Sequence, residues 1–195
     1  MGGGISGEKN YNATPTEPAG SGKENMDRFE KAFQYLLPNE GGLTDNPHDP
    51  GGITKYGIIL ADLPKGSTAD DIRNLTVIRA EEIYRAKYWK PIRGDAYDSD
   101  AKATAIFDTA VSKGIGGCKT IIGRIFNTHF AGEAWEYKDD LMGQVNGWSD
   151  KALLQALSAQ VKLHIEERIA ANPDLETFRK GWTNRANRLL TLAEA

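Results

Sequence analysis

The stretch that follows Ser99 carries apolar residues at the spacing of one helix face. This i, i+3, i+4, i+7, i+8 pattern predicts an amphipathic helix that Ser99 caps and Gly114 ends. The apolar positions are Ala103, Ile106, Phe107, Ala110 and Val111. A chain built from such segments must bury helix faces against one another, and this limits the fold more than any other feature does.

Further helices are indicated on both sides of this stretch. A first helix with an apolar face from Phe29 to Leu37 should end near Glu40, just after Pro38. Thr76 and Ser149 are suitable N-caps for two more helices. Other helical segments are expected at 118–126, 133–145 and 175–190. Alternating strand patterns are absent outside 42–60, so we predict a mainly α protein with a small β-hairpin or loop region after the first helix.

Composition limits the class of protein further. The chain has 195 residues and a formal net charge of -3, which excludes a general attraction to nucleic acid or anionic membranes. No apolar run approaches the roughly 20 residues of a membrane-spanning helix. The N-terminus lacks the apolar core of a secretory signal. The single cysteine, Cys118, cannot form an internal disulfide and falls on an apolar helix face, where we expect it to be buried.

We divide the chain into three parts. Residues 1–25 contain six glycines and two prolines and few bulky apolar side chains, so we expect a flexible tail. Residues 26–120 should form the catalytic region discussed below. Residues 121–195 should form a helical C-terminal region that packs into the same domain.

An acidic loop follows the first helix. The sequence of residues 39–57, NEGGLTDNPHDPGGITKYG, holds three carboxylates and five glycines. It does not fit a calcium-binding EF-hand, because Pro47 and Pro50 stand where that loop places other residues. His48 has no second histidine at a metal-binding spacing. A solvated turn and a catalytic site both remain open at this point.

The catalytic interpretation explains where the acids stand as well as their number. Glycoside cleavage needs one carboxylic acid to protonate the leaving oxygen and usually a second carboxylate across the bond. Glu40, at the end of an apolar helix, would be partly desolvated, whereas Asp49 in a Pro- and Gly-rich turn would stay ionised. Asp45 competes with Asp49 for the second role. Thr54 offers a hydroxyl that could hold a water.

The same residues carry a family resemblance. Glu40-Gly41-Gly42, Asn46-Pro47, Asp49, Gly51-Gly52, Thr54 and Gly57 resemble the signature of the glycoside hydrolase family 108 lysozymes, which are N-acetylmuramidases. The spacing from glutamate to aspartate to threonine is also similar to that of phage-type lysozymes. The similarity continues at Tyr88-Trp89, at 107–111 and at 181–185, where it resembles the end of a companion peptidoglycan-binding segment.

This resemblance implies a lysozyme-like fold and hydrolysis of the β-1,4 bond between N-acetylmuramic acid and N-acetylglucosamine. It implies Glu40, Asp49 and Thr54 as catalytic residues, with Glu40 as the general acid. An inverting outcome is the corollary. Ser112 departs from the family pattern, where an asparagine is expected. The alternatives are a non-catalytic wall-binding or phage structural module and a lytic transglycosylase.

Aromatic and charged residues complete the expected site. Tyr56, Gly57, Tyr88 and Trp89 are predicted to bind substrate, with core packing as the alternative for the two aromatic residues at 88–89. Lys55 and Arg93 are candidates to meet carboxylates of a muropeptide. For Asp108 the sequence leaves open whether it is a site residue or a buried hydrogen-bonding residue. Structural or solvated positions are expected for Trp182, His164 and His129.

The expected partners and location follow from the same interpretation. The substrate would be the glycan strands of peptidoglycan, with no metal or organic cofactor and no stable membrane insertion. We expect a monomer that is made in the cytoplasm of a bacterial host. It would reach the periplasmic cell wall through a holin lesion, as a phage endolysin does, or through a dedicated exporter.

Overall fold

The structure, a computed structural model, describes residues 26–45, 52–128 and 141–194. The predicted tail at 1–25, together with His48, Asp49 and His129, lies outside the described residues, as does most of the helix predicted at 133–145.

The described chain is mainly α-helical, as the sequence predicts. Seven α-helices follow one another: α1 (Arg28–Glu40), α2 (Ala69–Arg73), α3 (Val77–Tyr84), α4 (Asp100–Phe126), α5 (Leu141–Gly147), α6 (Asp150–Ala171) and α7 (Arg179–Arg188). Short 3₁₀ turns lie at Leu60–Asp62, Gly94–Ala96, Pro173–Phe178 and Leu189–Ala193, and a π turn at Arg85–Trp89 continues α3.

Local capping explains where several helices begin. The side chains of Thr76, Ser99 and Ser149 each accept a hydrogen bond from a backbone N–H in the first turn of α3, α4 and α6. Asp27 and Glu30 form a reciprocal capping box at the start of α1. The three caps predicted from sequence are therefore confirmed.

The helix predicted to end at Gly114 does change direction there. Gly114 has φ 72° and ψ 164°, a conformation that other residues rarely adopt, and it divides α4 into two helical segments. Lys113 is therefore the last residue of the first segment. The second segment contains Cys118, which is fully buried as expected.

The β structure after α1 is smaller than a hairpin of two regular strands. Thr44 and Thr54 form one antiparallel bridge, in which each N–H donates to the other's carbonyl at 2.8 Å. A second bridge joins Lys55 and Ile58 around a tight turn. Both central residues of this turn have positive φ, Tyr56 at 53° and Gly57 at 69°, which is typical of a type I′ turn.

The buried apolar side chains of the described residues form one core. Its contributors extend from Phe29 in α1 to Leu189 after α7, and the first segment of α4 runs through its centre, with residues 102–110 all buried. Helices α1 and α6 both pack against α4. The end of α1, the middle of α4 and α7 are thereby held side by side. In the described part of the chain no helix is long and apolar enough to cross a membrane.

Candidate active site

Glu40 is the last residue of α1, as the sequence predicts. Buried Phe29, Phe33 and Leu36 fix the helix against the core, and Gly41 ends it with a φ of 75°. The side chain of Glu40 is only 15% exposed. A rigid helix therefore presents a largely desolvated carboxyl group at the start of the acidic loop.

Arg185 of α7 holds this carboxyl group in place. Its Nη2 donates to Oε1 of Glu40 at 2.8 Å. The same guanidinium binds Asp108 of α4, through Nε at 3.1 and 3.2 Å to the two carboxylate oxygens and through Nη2 at 3.0 Å. We call these three residues, Glu40, Arg185 and Asp108, the Arg185 network. It joins α1, α4 and α7 at one point.

Asp108 anchors the network from inside the core. Its side chain is 3% exposed, and a buried carboxylate is stable only when paired and hydrogen-bonded. Burial disfavours the charged form of Arg185, but the carboxylates of Asp108 and Glu40 outweigh that effect and raise the pKa of Arg185. The guanidinium therefore stays charged between them. This settles the question that the sequence left open: Asp108 is a buried hydrogen-bonding residue.

Gly57 lies directly against the carboxyl group of Glu40. A Cβ at Gly57 would lie 2.6 Å from Oε2 of Glu40 and 2.8 Å from the hydroxyl of Tyr84. The Tyr84 hydroxyl donates to the carbonyl of Tyr56 at 2.9 Å and so ties the tight turn to α3. Burial and the charge of Glu40 raise the pKa of Tyr84, so its hydroxyl remains a donor.

The other predicted catalytic residues have different outcomes. Thr54 stands in the bridge with Thr44, three residues before Gly57. Asp49 lies outside the described residues, so its role stays a prediction. Asp45 forms an ion pair with Arg73 of α2, at 2.8 Å from Nη2, and its side chain is 44% exposed. Its carboxylate thus ties the loop to α2.

Among the residues predicted to bind sugar rings, Tyr56 and Tyr88 are half-buried. Trp89 does not fit the prediction, because its ring is only 1% exposed and packs edge-on against Phe29 and Phe107. Its Nε1 donates to Asp95, and a Cβ on Gly94 would overlap the indole ring. Trp89 is a core residue.

Two charged candidates have structural contacts. Lys55 donates from Nζ to the carbonyl of Arg73 at 2.7 Å and lies 5.6 Å from the centre of the Tyr56 ring. Arg93 is exposed and adopts a left-handed backbone conformation with φ 55°. Neither the contact of Lys55 nor the backbone of Arg93 indicates a ligand.

Arg185 is the site residue that sequence reasoning missed. A signal was present, because a carboxylate such as Asp108 on an apolar helix face requires a buried cation. Arg185 also lies in the Gly181-Trp182-Thr183-Asn184-Arg185 segment that carried part of the family resemblance. The sequence does not reveal, however, that one arginine serves both Asp108 and Glu40.

The arrangement can support acid–base chemistry. It offers one carboxyl group of defined orientation, a fixed cation beside it and a glycine that lets the carboxyl group pack closely against the tight turn. No group of three His, Cys, Asp or Glu side chains meets at a metal-binding distance within 26–45, 52–128 and 141–194.

Comparison with known proteins agrees with this geometry. Residues 33–114 match the family model of glycosyl hydrolase 108, a span that includes Glu40, Gly57 and Asp108. Among solved structures, SagA of Brucella abortus has a TM-score of 0.71 and 25% sequence identity, with 85% of this chain and 93% of SagA covered. No curated protein sequence matches the chain. Residues 33–114 of this chain are therefore similar to the glycosyl hydrolase 108 family.

Proposed function

We propose that this protein hydrolyses the β-1,4 bond between N-acetylmuramic acid and N-acetylglucosamine in peptidoglycan, with Glu40 as the general acid. The observation that carries the proposal is the position of Glu40. Its carboxyl group is largely buried, lies at the end of a fixed helix, and is oriented by Arg185 within the glycosyl hydrolase region.

Glu40 must carry a proton when it acts. A bound glycan would exclude water from a side chain that is already only 15% exposed, and loss of water favours the neutral form. Asp49 and Thr54 would then position or activate water on the opposite face of the sugar, which gives an inverting reaction.

The test is a Glu40→Gln variant assayed on purified peptidoglycan. Loss of the transferable proton should lower the release of reducing ends by about 10²-fold or more, while a cooperative thermal transition shows that the variant is still folded. Glu82→Gln is the matched control, because Glu82 is exposed and pairs with exposed Arg79 on α3. Activity of Glu40→Gln close to that of the control would contradict the assignment. Asp49→Asn in the same assay tests the second carboxylate.

Mass spectrometry of the digest distinguishes the alternatives. Reducing N-acetylmuramic acid ends support the proposed hydrolase. Ends with a 1,6-anhydro ring would identify a lytic transglycosylase instead. Binding to cell walls without release of any reducing sugar would identify a non-catalytic wall-binding module.

We also propose that the protein acts as an endolysin, made in the bacterial cytoplasm as a monomer and released to the wall through a holin lesion. The support is the glutamate–aspartate–threonine spacing, which is similar to that of phage-type lysozymes. Expression in bacteria with and without a co-expressed holin tests this: lysis should require the holin, and lysis without it would contradict this route.

A further inference from the structure

A second group of charged residues lies on the other side of Arg185. We call it the basic cluster: Lys113 and Arg168, which lie against the ring of Trp182, and His164 beside them. Lys113 Nζ lies 5.1 Å and the Arg168 guanidinium 5.2 Å from the centre of this ring. If Gly117 carried a Cβ atom, that atom would lie 2.9 Å from Cβ of Lys113 and 3.8 Å from Nε2 of His164. These two side chains therefore face the same turn of α4.

The charges of the basic cluster are not balanced by acids in the described part of the chain. The nearby carboxylates already have other partners: Glu166 pairs with Arg179, Glu167 with Arg124 and Asp108 with Arg185. No ion pair to Lys113, His164 or Arg168 occurs within the described ranges. A local excess of positive charge therefore exists on a protein whose net charge is -3.

Burial, and after it the neighbouring cations, lower the pKa values of two members of the cluster. Burial and the neighbouring Arg185 and Arg168 lower the pKa of Lys113 to about 8, although Asp108 opposes the shift. Burial, Lys113 and Arg168 also lower the pKa of His164. An anion bound beside these groups would relieve the mutual repulsion of the cations.

The basic cluster is continuous with the active site. A cavity of ≈ 10 Å³ is lined by residues of both groups, among them Asp108, Ser112, Lys113, Trp182 and Arg185. The guanidinium of Arg185 therefore lies next to the Arg185 network and to the basic cluster. The cavity can hold about one water and is too small for a ligand. A ligand must therefore bind at the outer side, where Arg168 is exposed and the Trp182 ring is half-buried.

We propose that the basic cluster is a subsite that binds the carboxylates of the peptide stem attached to N-acetylmuramic acid. The inference rests on the proposed function and names the part of the substrate that the cluster recognises. The stem is an anionic peptide linked to the sugar next to the cleaved bond. Lys113 and Arg168 supply charge-assisted hydrogen bonds to carboxylates, and the Trp182 ring, on which Phe178 stacks at 5.4 Å, holds these cations in place.

The test compares a substrate that carries the stem, phosphate-free peptidoglycan, with one that lacks it, glycan strands freed of peptide by an amidase. The readout is the ratio of the two initial rates. Arg168→Glu should lower the ratio of stem-bearing to stem-free rate about tenfold, because one charge-assisted contact is replaced by repulsion. Arg168→Gln should lower it in the same direction by less.

Lys151→Glu is the matched control. Lys151 is exposed on the same helix, about 25 Å from Arg168, and the substitution changes the net charge equally. Its rate ratio should equal that of the unmodified protein. An unchanged ratio in Arg168→Glu, or an equal change in Lys151→Glu, would overturn the subsite.

Two further measurements separate the causes of failure. The first repeats the rate assay on walls that retain phosphate polymers. If Arg168→Glu changes the rate only on those walls, the cluster binds phosphate and the peptide assignment is overturned.

The second measures binding without hydrolysis. Glu40→Gln, with and without Arg168→Glu, is sedimented with stem-bearing and with stem-free glycan. Stem-dependent binding that Arg168→Glu abolishes supports the subsite even if the unmodified protein releases no reducing ends, and binding independent of the stem overturns it.

Discussion

The Arg185 network and the basic cluster use similar residues in opposite ways. In the network, one arginine lies between two carboxylates, and every charge has a hydrogen-bonded partner at 2.8 to 3.2 Å. In the basic cluster, the cations lie against one aromatic ring at 5.1 and 5.2 Å and have no carboxylate of their own in the described residues.

The difference indicates which charges hold the fold and which meet a ligand. A buried pair whose geometry is fixed from both sides orients its members but leaves them little freedom to bind anything else. Cations without acidic partners raise the free energy of the folded protein, and a bound anion lowers it again. The network therefore positions Glu40, whereas the basic cluster recognises substrate.

The largest effect is expected from Arg185→Gln, which breaks the network. Asp108 would be left buried at 3% exposure without a cation, and removal of one partner of such a pair costs about 3–5 kcal/mol of unfolding free energy. Loss of the contact to Glu40 should also lower the rate on peptidoglycan by about 10²-fold. Denaturant unfolding and the reducing-end assay measure the two effects.

Arg179→Gln is the control for this prediction. Arg179 also pairs with two carboxylates, Glu166 and Glu176, but all of these residues lie at the surface. Exposed ion pairs add little to stability, so little change is expected. If both variants lose equal stability, burial is not what distinguishes the network. Adding Asp108→Asn to Arg185→Gln should recover part of the stability and none of the activity.

An intermediate effect is expected from Gly57→Ala, which displaces Glu40 without removing a charge. The new methyl group would overlap Oε2 of Glu40 and the Tyr84 hydroxyl, and the positive φ of 69° adds a cost of about 1–2 kcal/mol. The catalytic rate should fall strongly while the protein stays folded, because the carboxyl group of Glu40 moves away from its oriented position. Kinetics and thermal unfolding are compared on the same samples.

Gly66→Ala provides the matched substitution. Gly66 also has a positive φ, of 99°, but nothing lies within 4 Å of an added Cβ. It should lose only the stability that the positive φ costs, which is less than Gly57→Ala loses, and keep its activity. Loss of activity in both variants would mean that backbone strain, rather than the position of Glu40, explains the effect.

Local features of the fold could be predicted from the sequence. Thr76, Ser99 and Ser149 cap their helices through contacts only three residues away. Glu40 ends α1 because the apolar face stops and two glycines follow. Such features depend on neighbouring residues, so the sequence pattern contains them.

Two features depend on distant contacts and could not be predicted in this way. The sequence predicts that Trp89 binds a sugar ring, but Trp89 closes a π turn that follows α3. The extra residue in that turn changes the direction of the side chain relative to a regular helix. Arg185 meets Glu40 across 145 positions of sequence, and no periodicity relates the two residues.

The smallest effect is expected from Lys113→Met, and it tests whether the basic cluster carries unbalanced charge. The pKa of Lys113 is about 8 in the folded protein and 10.5 for an ordinary lysine. Between these pH values the unfolded chain binds one more proton than the folded protein, so stability rises with pH. The unmodified protein should therefore gain on the order of 1 kcal/mol relative to Lys113→Met from pH 8 to pH 10.5, after allowance for solvent screening.

Melting temperatures of both proteins across this range measure that difference. His164 faces Lys113, but its lowered pKa places its titration below the window. Arg168, Arg185 and Asp108 also face Lys113, and they are present in both proteins. A difference that stays constant with pH would mean that Lys113 is solvated or paired. The basic cluster would then have no excess charge, and its contrast with the Arg185 network would disappear.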